Sequence, residues 1–255
     1  MITLYFSGTG NSRFVAETFS RQTGGACHSI EEPLHFASLL ARQETICFCY
    51  PVYGSCVPPI LRDFVLLHRE SLEEKKLVIL ATQFLFSGDG ARAFTDLLRG
   101  TPCQIIYADH ITMPNNICNF FLFPAKDASR CARRLRSAQK RVTRAVECLE
   151  SGVVRRRGFS GASRILGLLT QRLWFQRIED AASQDVRVAN SCTGCGLCVR
   201  VCPRENLFLT TDSGPARVDQ RGRCTLCYRC VNMCPEMAIT VLWHSPVRRQ
   251  YHGPE

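Results

Sequence analysis

Hydrophobic residues in the first part of the chain form short runs that alternate with segments of helical periodicity. The runs cover residues 2–6, 27–30, 45–50, 77–81 and 103–108, and the helical segments cover residues 11–22, 34–42, 57–69, 90–99 and 127–150. Strands that alternate with helices in this way are typical of a parallel sheet with helices on both faces. The pattern therefore predicts an α/β fold with a doubly wound, five-stranded parallel sheet.

Beyond residue 151 the pattern changes twice. A break at Ser151-Gly152 precedes a basic amphipathic helix with apolar residues Ile165, Leu166, Leu168, Leu169, Leu173, Trp174, Phe175 and Ile178. Residues 207–218 then predict a hairpin around the turn residues Asp212, Ser213, Gly214 and Pro215. We therefore expect an α/β domain at 1–151, a basic helical linker at 152–185, and a small α+β domain with a C-terminal tail at 186–255.

The first residues and the cysteine content indicate the compartment. The first ten residues have no basic segment and no cleavage site, and no run of about 18 apolar residues occurs. Of the 16 cysteines, eight lie between 192 and 234, and the others are scattered without a C-x-x-C pair. We expect a cytoplasmic protein without a transmembrane segment, in a reducing and anaerobic cell.

The clustered cysteines form two copies of one motif, offset by 32 residues. Each copy has the spacing C-x2-C-x2-C-x3-C-P, and the cysteines are Cys192, Cys195, Cys198 and Cys202, then Cys224, Cys227, Cys230 and Cys234. Three cysteines at this spacing surround three irons of a [4Fe-4S] cluster, while the fourth reaches the other cluster. The sequence therefore predicts one cluster on Cys192, Cys195, Cys198 and Cys234, and a second on Cys224, Cys227, Cys230 and Cys202.

A pair of structural zinc sites is the alternative, because zinc sites also use C-x2-C pairs. The third cysteine of each motif and the proline after the fourth favour iron–sulfur clusters instead. Residues 186–242 resemble bacterial-type two-cluster ferredoxins in this respect.

The first strand runs directly into a loop rich in hydroxyl groups and glycine. Its residues are Ser7, Gly8, Thr9, Gly10, Asn11 and Ser12. A loop of this kind at a helix N-terminus binds phosphate through backbone N–H groups. It lacks the lysine of a Walker loop, and Arg13 stands where a dinucleotide fingerprint has its last glycine. The loop therefore predicts a site for a single monophosphate.

This loop resembles the FMN-phosphate loop of flavodoxins, Thr/Ser-x-Thr-Gly-Asn-Thr/Ser. The resemblance implies that two later loops enclose the flavin ring, since both follow predicted strands whose carboxyl ends meet at one edge. Tyr53, with Phe84 or Phe86, is then expected to stack on the ring, although core packing is the alternative for both phenylalanines. The residues of these loops are Pro51, Val52, Tyr53 and Gly54, then Gln83, Phe84, Phe86, Ser87, Gly88 and Asp89.

The whole chain resembles the flavodoxin–ferredoxin fusion proteins of anaerobic bacteria and archaea (EFR family ferredoxins). The run Met113-Pro114-Asn115-Asn116 is similar to a Met-Pro-x-Asn element of that family. The resemblance implies a flavodoxin-like domain with FMN and a ferredoxin domain with two [4Fe-4S] clusters. True flavodoxins are acidic, whereas this chain carries a net charge of +10, so flavodoxin partners do not transfer directly.

The excess charge lies in the middle of the chain. Residues 126–187 contain 15 Lys/Arg and 6 Asp/Glu, a balance of +9. The pattern favours a linker with solvated arginines, then a docking surface for an acidic redox partner, over a membrane-surface helix. We expect redox partner proteins. No nucleic-acid-binding motif is present, and we expect no nucleic-acid partner.

Two functions are consistent with these features. The first is an electron carrier that passes electrons between the clusters and FMN and couples one-electron to two-electron carriers, with no catalytic residue. The second is an FMN-dependent reductase of a quinone-type or nitro-type substrate, with Asn115, Asn116 and Asp89 as candidates to orient that substrate.

Overall fold

A computed structural model of the chain describes residues 1–120, 127–210 and 217–254. The main sheet is parallel throughout, and its strand order is β2-β1-β3-β4-β5-β6. The first five strands in this order, 2-1-3-4-5, have the flavodoxin-like topology. The strands are β1 (Ile2–Tyr5), β2 (Ala26–Ser29), β3 (Thr45–Pro51), β4 (Lys76–Gln83), β5 (Gln104–Thr112) and β6 (Arg155–Arg156).

Helices cover both faces of this sheet, so its central strands are buried on both sides. Helices α1 (Asn11–Thr23) and α5 (Ala128–Glu150) pack on one face, where Cys47 and Cys49 of β3 point. The other face, with Phe48, carries α2 (Phe36–Ala41), α3 (Pro59–Leu67) and α4 (Gly90–Ala93). Burial on both faces explains why β3 and β4 are continuous apolar runs.

The prediction of five strands was short by one. Arg155 and Arg156 pair in parallel with Tyr107 and Ala108 of β5, at the edge of the sheet. The Arg156 guanidinium also donates to the Ile105 carbonyl oxygen at 2.8 Å. Two exposed arginines carry no apolar alternation, so the sequence pattern assigned them to the linker. The three-part division of the chain stays a prediction, and its middle part begins with a strand of the sheet.

The predicted amphipathic helix is present and crosses the carboxyl edge of the sheet. Helix α6 (Gly161–Gly167) continues through one turn of π-helix, Leu168–Arg172, into α7 (Leu173–Ser183). A Cβ atom on Gly88 would lie 2.6 Å from the Gly167 Cα atom, so only glycine allows the loop after β4 to pack this closely. The connection is therefore packed against the α/β domain.

The C-terminal part contains two small antiparallel sheets. Strand β7 (Val186–Val188) pairs with β10 (Ile239–Val241), and β8 (Leu207–Thr210) pairs with β9 (Arg217–Gln220). The short helices α8 (Leu197–Val201) and α9 (Arg229–Met233) lie between them in sequence. The strands of the predicted hairpin are confirmed, while its turn at 212–215 lies outside the described residues. In the described part of the chain, no helix has the length and apolar character needed to cross a bilayer.

Arg172 forms a buried ion pair that holds the π-helical turn on the sheet. Its guanidinium lies 2.5 Å from the Asp89 carboxylate and also donates to the Ser55 carbonyl oxygen at 3.1 Å. Asp89 is fully buried, and its other carboxylate oxygen accepts from Arg92 at 2.8 Å.

We predict that Arg172→Ala lowers the free energy of unfolding of the α/β domain by about 3–5 kcal/mol, because it leaves a buried carboxylate partly unpaired. Urea unfolding followed by circular dichroism under anaerobic conditions measures this change. Arg177→Ala, an exposed arginine on α7, is the matched control and should change the free energy by less than about 0.5 kcal/mol. Equal unfolding midpoints for the two variants would contradict the role of the ion pair.

Candidate functional site

The hydroxyl-rich loop lies between β1 and the N-terminus of α1. Gly10 adopts φ 90°, which starts the helix at Asn11. The Ser12 and Thr82 hydroxyls bond each other at 2.7 Å. By contrast, the buried Ser7 and Thr9 hydroxyls have no hydrogen-bond partner among the residues that the structure describes. Buried hydroxyls without partners are costly, so these two groups are suited to a polar ligand.

A cavity of about 280 Å³ opens beside this loop and has walls from three parts of the chain. The α/β domain contributes loop residues at the carboxyl ends of its strands, where ligands bind in such folds. The helical connection contributes Thr170, Gln171, Trp174 and Phe175. The C-terminal part contributes Leu226, Tyr228, Leu242 and Trp243. The cavity is therefore a junction between both domains and the connection.

Most of the predicted binding residues line this cavity. They include the first loop apart from Gly10, the complete second loop, and two residues of the third, namely Ser7, Gly8, Thr9, Asn11, Ser12, Pro51, Val52, Tyr53, Gly54, Gln83 and Phe84. The Tyr53 hydroxyl and the Gln83 side-chain oxygen are buried there without a partner among the described residues. Burial raises the pKa of the Tyr53 hydroxyl well above its ordinary value, so the group is a neutral donor.

The rest of the predicted third loop, Phe86, Ser87, Gly88 and Asp89, does not line this cavity. The Asp89 carboxylate is held by Arg172 and Arg92. Gly88 packs under Gly167, and the Ser87 carbonyl oxygen accepts the Ser55 hydroxyl. Phe86 is half exposed. Close packing of the helical connection thus turns these four residues away, and it also removes Asp89 as a substrate-orienting candidate.

Aromatic side chains from outside the α/β domain complete the cavity walls. Trp174 and Phe175 come from α7, Tyr228 precedes α9, and Trp243 follows β10. The Tyr228 hydroxyl donates to the Val241 carbonyl oxygen at 3.0 Å, which orients its ring. Sequence reasoning missed these residues, although the aromatic pair in an otherwise aliphatic amphipathic helix was a signal for Trp174 and Phe175.

The structure gathers the eight motif cysteines around two small cavities in the crossed arrangement. One cavity is lined by Cys192, Cys195, Cys198 and Cys234, and the other by Cys202, Cys224, Cys227 and Cys230. Backbone N–H groups point at three of the sulfur atoms: Asn206 to Cys202 at 3.2 Å, Leu226 to Cys224 at 3.4 Å, and Ala238 to Cys234 at 3.4 Å. Such N–H donors stabilise thiolate ligands and tune cluster potentials.

Burial keeps the thiols of Cys198, Cys224 and Cys227 protonated when no metal is bound. It raises the pKa of Cys224 to about 12, and those of Cys198 and Cys227 to about 11. Only thiolates bind iron, so cluster insertion has to release these protons.

Arg229 joins the second cysteine cavity to the hydroxyl-rich loop. Its guanidinium donates to the Ser7 and Gly8 carbonyl oxygens at 2.8 and 3.1 Å. The same group pairs with the Glu31 carboxylate at 2.7 Å. A Cβ atom on Gly8 would collide with the Cys227 carbonyl oxygen, so the two loops are in backbone contact. The second cavity is therefore beside the hydroxyl-rich loop.

Comparison with protein families supports the C-terminal assignment. A family described as "4Fe-4S dicluster domain" matches residues 191–238, which include all eight motif cysteines. A search among curated proteins found no match.

Several solved structures are similar to the N-terminal part. A two-electron reduced flavodoxin of Megasphaera elsdenii is 19% identical over 55% of this chain and 99% of its own, with a TM-score of 0.38. Flavodoxin 2 of Bacillus cereus is 13% identical over 57% and 97%, with a TM-score of 0.39. General stress protein 14 of Treponema denticola, in complex with FMN, is 10% identical over 59% and 97%, with a TM-score of 0.43.

These scores are low, so the fold assignment rests on the strand order of the sheet. That order and the family match together confirm the predicted combination: a flavodoxin-like fold is joined to a 4Fe-4S dicluster domain.

We predict that Cys202→Ala damages the cluster on Cys224, Cys227 and Cys230 more than the cluster beside it in sequence, because it removes a ligand from the crossed set. Iron analysis and electron paramagnetic resonance after anaerobic purification distinguish the two clusters. Cys118→Ala, a buried cysteine outside both sets, is the control and should retain both. Selective loss of the cluster on Cys192, Cys195 and Cys198 would refute the crossing.

Proposed function

We propose that this protein is an electron-transfer flavo-iron-sulfur protein, with FMN in the junction cavity and one [4Fe-4S] cluster in each cysteine cavity. One observation carries the proposal. A single cavity is lined by the hydroxyl-rich loop of the flavodoxin-like domain and by Leu226 and Tyr228, which flank the cluster ligand Cys227. Donor and acceptor sites that share one wall suit electron exchange within a single molecule.

The residues present fit FMN. The Ser7 and Thr9 hydroxyls and the N-terminus of α1 suit one phosphate group. The unpartnered Tyr53 hydroxyl and Gln83 oxygen suit the polar edge of a flavin ring, while Trp174 and Phe84 offer apolar surface. A dinucleotide would require the glycine fingerprint that Arg13 interrupts.

When bound, FMN exchanges one or two electrons and each cluster exchanges one, so the chain couples one-electron carriers to two-electron carriers. The chain itself positions and insulates these groups. Contact between Gly8 and Cys227 makes the set Cys202, Cys224, Cys227 and Cys230 the near cluster. The set with Cys192 is the far cluster, and its ligand Cys195 is exposed. A redox partner protein therefore docks at Cys195.

A reductase of a small organic substrate is the second candidate. The cavity lining is largely apolar, and Trp174 at its edge is 54% exposed, so a flat aromatic molecule could reach the cavity. Asn116 lies in the wall and offers a polar group. Steady-state assays with quinones and nitroaromatics separate the two functions. A reductase saturates with its substrate, whereas a carrier does not.

We predict that Thr9→Val weakens FMN binding about tenfold or more, because a hydrogen bond to a charged phosphate is lost. Flavin titration of the purified protein, together with its iron content, measures the effect. Thr3→Val is the matched control, since Thr3 has a buried hydroxyl and lies outside the cavity. Purified protein that binds no FMN, or equal affinities in the two variants, would refute the assignment of this loop.

We predict that electrons pass between clusters and FMN at a rate independent of protein concentration, because both sites belong to one molecule. Flash reduction of the clusters, followed by loss of the flavin absorbance band, measures this rate. Arg229→Met should slow it, since Arg229 joins the near cluster to the phosphate loop. Arg204→Met is the control, because Arg204 pairs with Asp63 at another point between the domains. An electron-transfer rate proportional to protein concentration would contradict the proposal.

A further inference from the structure

Six large apolar side chains form an exposed surface at the helical connection. We call this surface the apolar ridge, and its residues are Leu85, Phe86, Ile165, Leu166, Leu169 and Leu173. Leu169 is 66% exposed and Ile165 is 60% exposed. Soluble surfaces carry scattered apolar residues, but contiguous patches of this kind mark contacts with a protein or a membrane.

Four of the six residues of the ridge lie on the helical connection itself. On the connection, its members lie at positions i, i+1, i+4 and i+8 from Ile165, which is one stripe of a helix. The opposite side of the same helix is buried, with Gly167, Arg172 and Phe175 against the domain. Leu85 and Phe86 lie beside this helix, because the Gln171 amide donates to the Phe86 carbonyl oxygen at 3.0 Å.

Basic side chains border the ridge. Arg164 and Arg177 are exposed on the helix that carries it. On α5, the Arg134 guanidinium lies 4.8 Å from the centre of the Phe84 ring, next to Leu85, and the neighbouring Arg133 is exposed. Residues 128–146 and 161–178 contain no Asp or Glu. Within these two ranges the margins of the apolar stripe carry only positive charge, and the nearest acidic residues along the chain are Asp127, Glu147, Glu179 and Asp180.

We infer that the apolar ridge docks this protein onto an anionic membrane surface, with the ridge in the acyl–headgroup boundary and the arginines on acidic headgroups. An aliphatic stripe with one aromatic residue and basic margins is the composition of interfacial helices. An electron-transfer encounter with an acidic protein needs charge but only a small, weak interface. It therefore does not explain six exposed aliphatic and aromatic side chains.

The edge of the flavin cavity belongs to this surface. Trp174 follows Leu173 of the ridge, lines the cavity and is half exposed. Docking through the ridge thus places the mouth of the cavity at the headgroup level, where tryptophan is favoured. The inference itself rests on the ridge and its charges, and does not require the flavin assignment.

Flotation of the purified full-length protein, kept anaerobic with its cofactors, tests the inference. Vesicles of phosphatidylcholine with about 30% phosphatidylglycerol should carry the protein, while pure phosphatidylcholine vesicles should carry much less. Added salt should reduce binding, because it screens the headgroup charge. Leu169→Glu should lower the vesicle partition coefficient about tenfold or more, because it removes apolar burial and adds repulsion.

Leu67→Glu is the matched control. Leu67 is 78% exposed at the end of α3, which runs back from the carboxyl edge of the sheet and away from the ridge. The Leu67→Glu variant introduces the same charge and should leave vesicle partitioning unchanged. The iron content should be equal in both variants. Three results would overturn the inference: no binding to anionic vesicles, equal binding by the two variants, or a homodimer in sedimentation that Leu169→Glu abolishes. If the ridge accelerated reduction by an acidic carrier protein and the protein bound no vesicles, the ridge would be a protein interface instead.

Discussion

The Arg229 guanidinium makes the interaction on which the arrangement of the two redox domains depends. It carries hydrogen bonds to the Ser7 and Gly8 carbonyl oxygens and an ion pair with Glu31, all on the flavodoxin-like domain. In the sequence, Arg229 comes two residues after Cys227. Arginine is suited to this role, because a planar guanidinium presents several donors in fixed directions. A partly buried charge with this many partners has few alternative positions, so it defines how the two loops face each other.

Other hydrogen bonds hold the two domains in the same arrangement. The Asn119 amide donates to the Val241 carbonyl oxygen at 2.9 Å, and the Asn232 amide donates to the Asn116 carbonyl oxygen at 2.8 Å. The Tyr251 hydroxyl bonds the Asn11 side chain at 2.6 Å. Each joins a loop at the carboxyl edge of the sheet to the C-terminal part. The junction cavity is therefore bounded by directional polar bonds, in addition to apolar packing.

The sequence predicted features whose physical cause is local. Central strands buried on both faces are continuous apolar runs, and cluster ligands have spacings dictated by the size of the cube. Features caused by tertiary packing were not predictable. Asp89 has the position of a flavin-loop residue in the sequence, but Arg172, 83 residues later, takes its carboxylate. Arg155 and Arg156 form a strand only because the edge of β5 is available to them. Neither effect leaves a periodicity in the chain.

The close contact at Gly8 has a mechanical consequence. With no space for a single additional carbon atom between the hydroxyl-rich loop and the Cys227 carbonyl oxygen, the two backbones cannot approach each other further. A movement of the Cys227 backbone toward Gly8 therefore has to displace the hydroxyl-rich loop as well, without an intervening side chain. The two loops thus share one packing constraint, which no side-chain rearrangement can relieve.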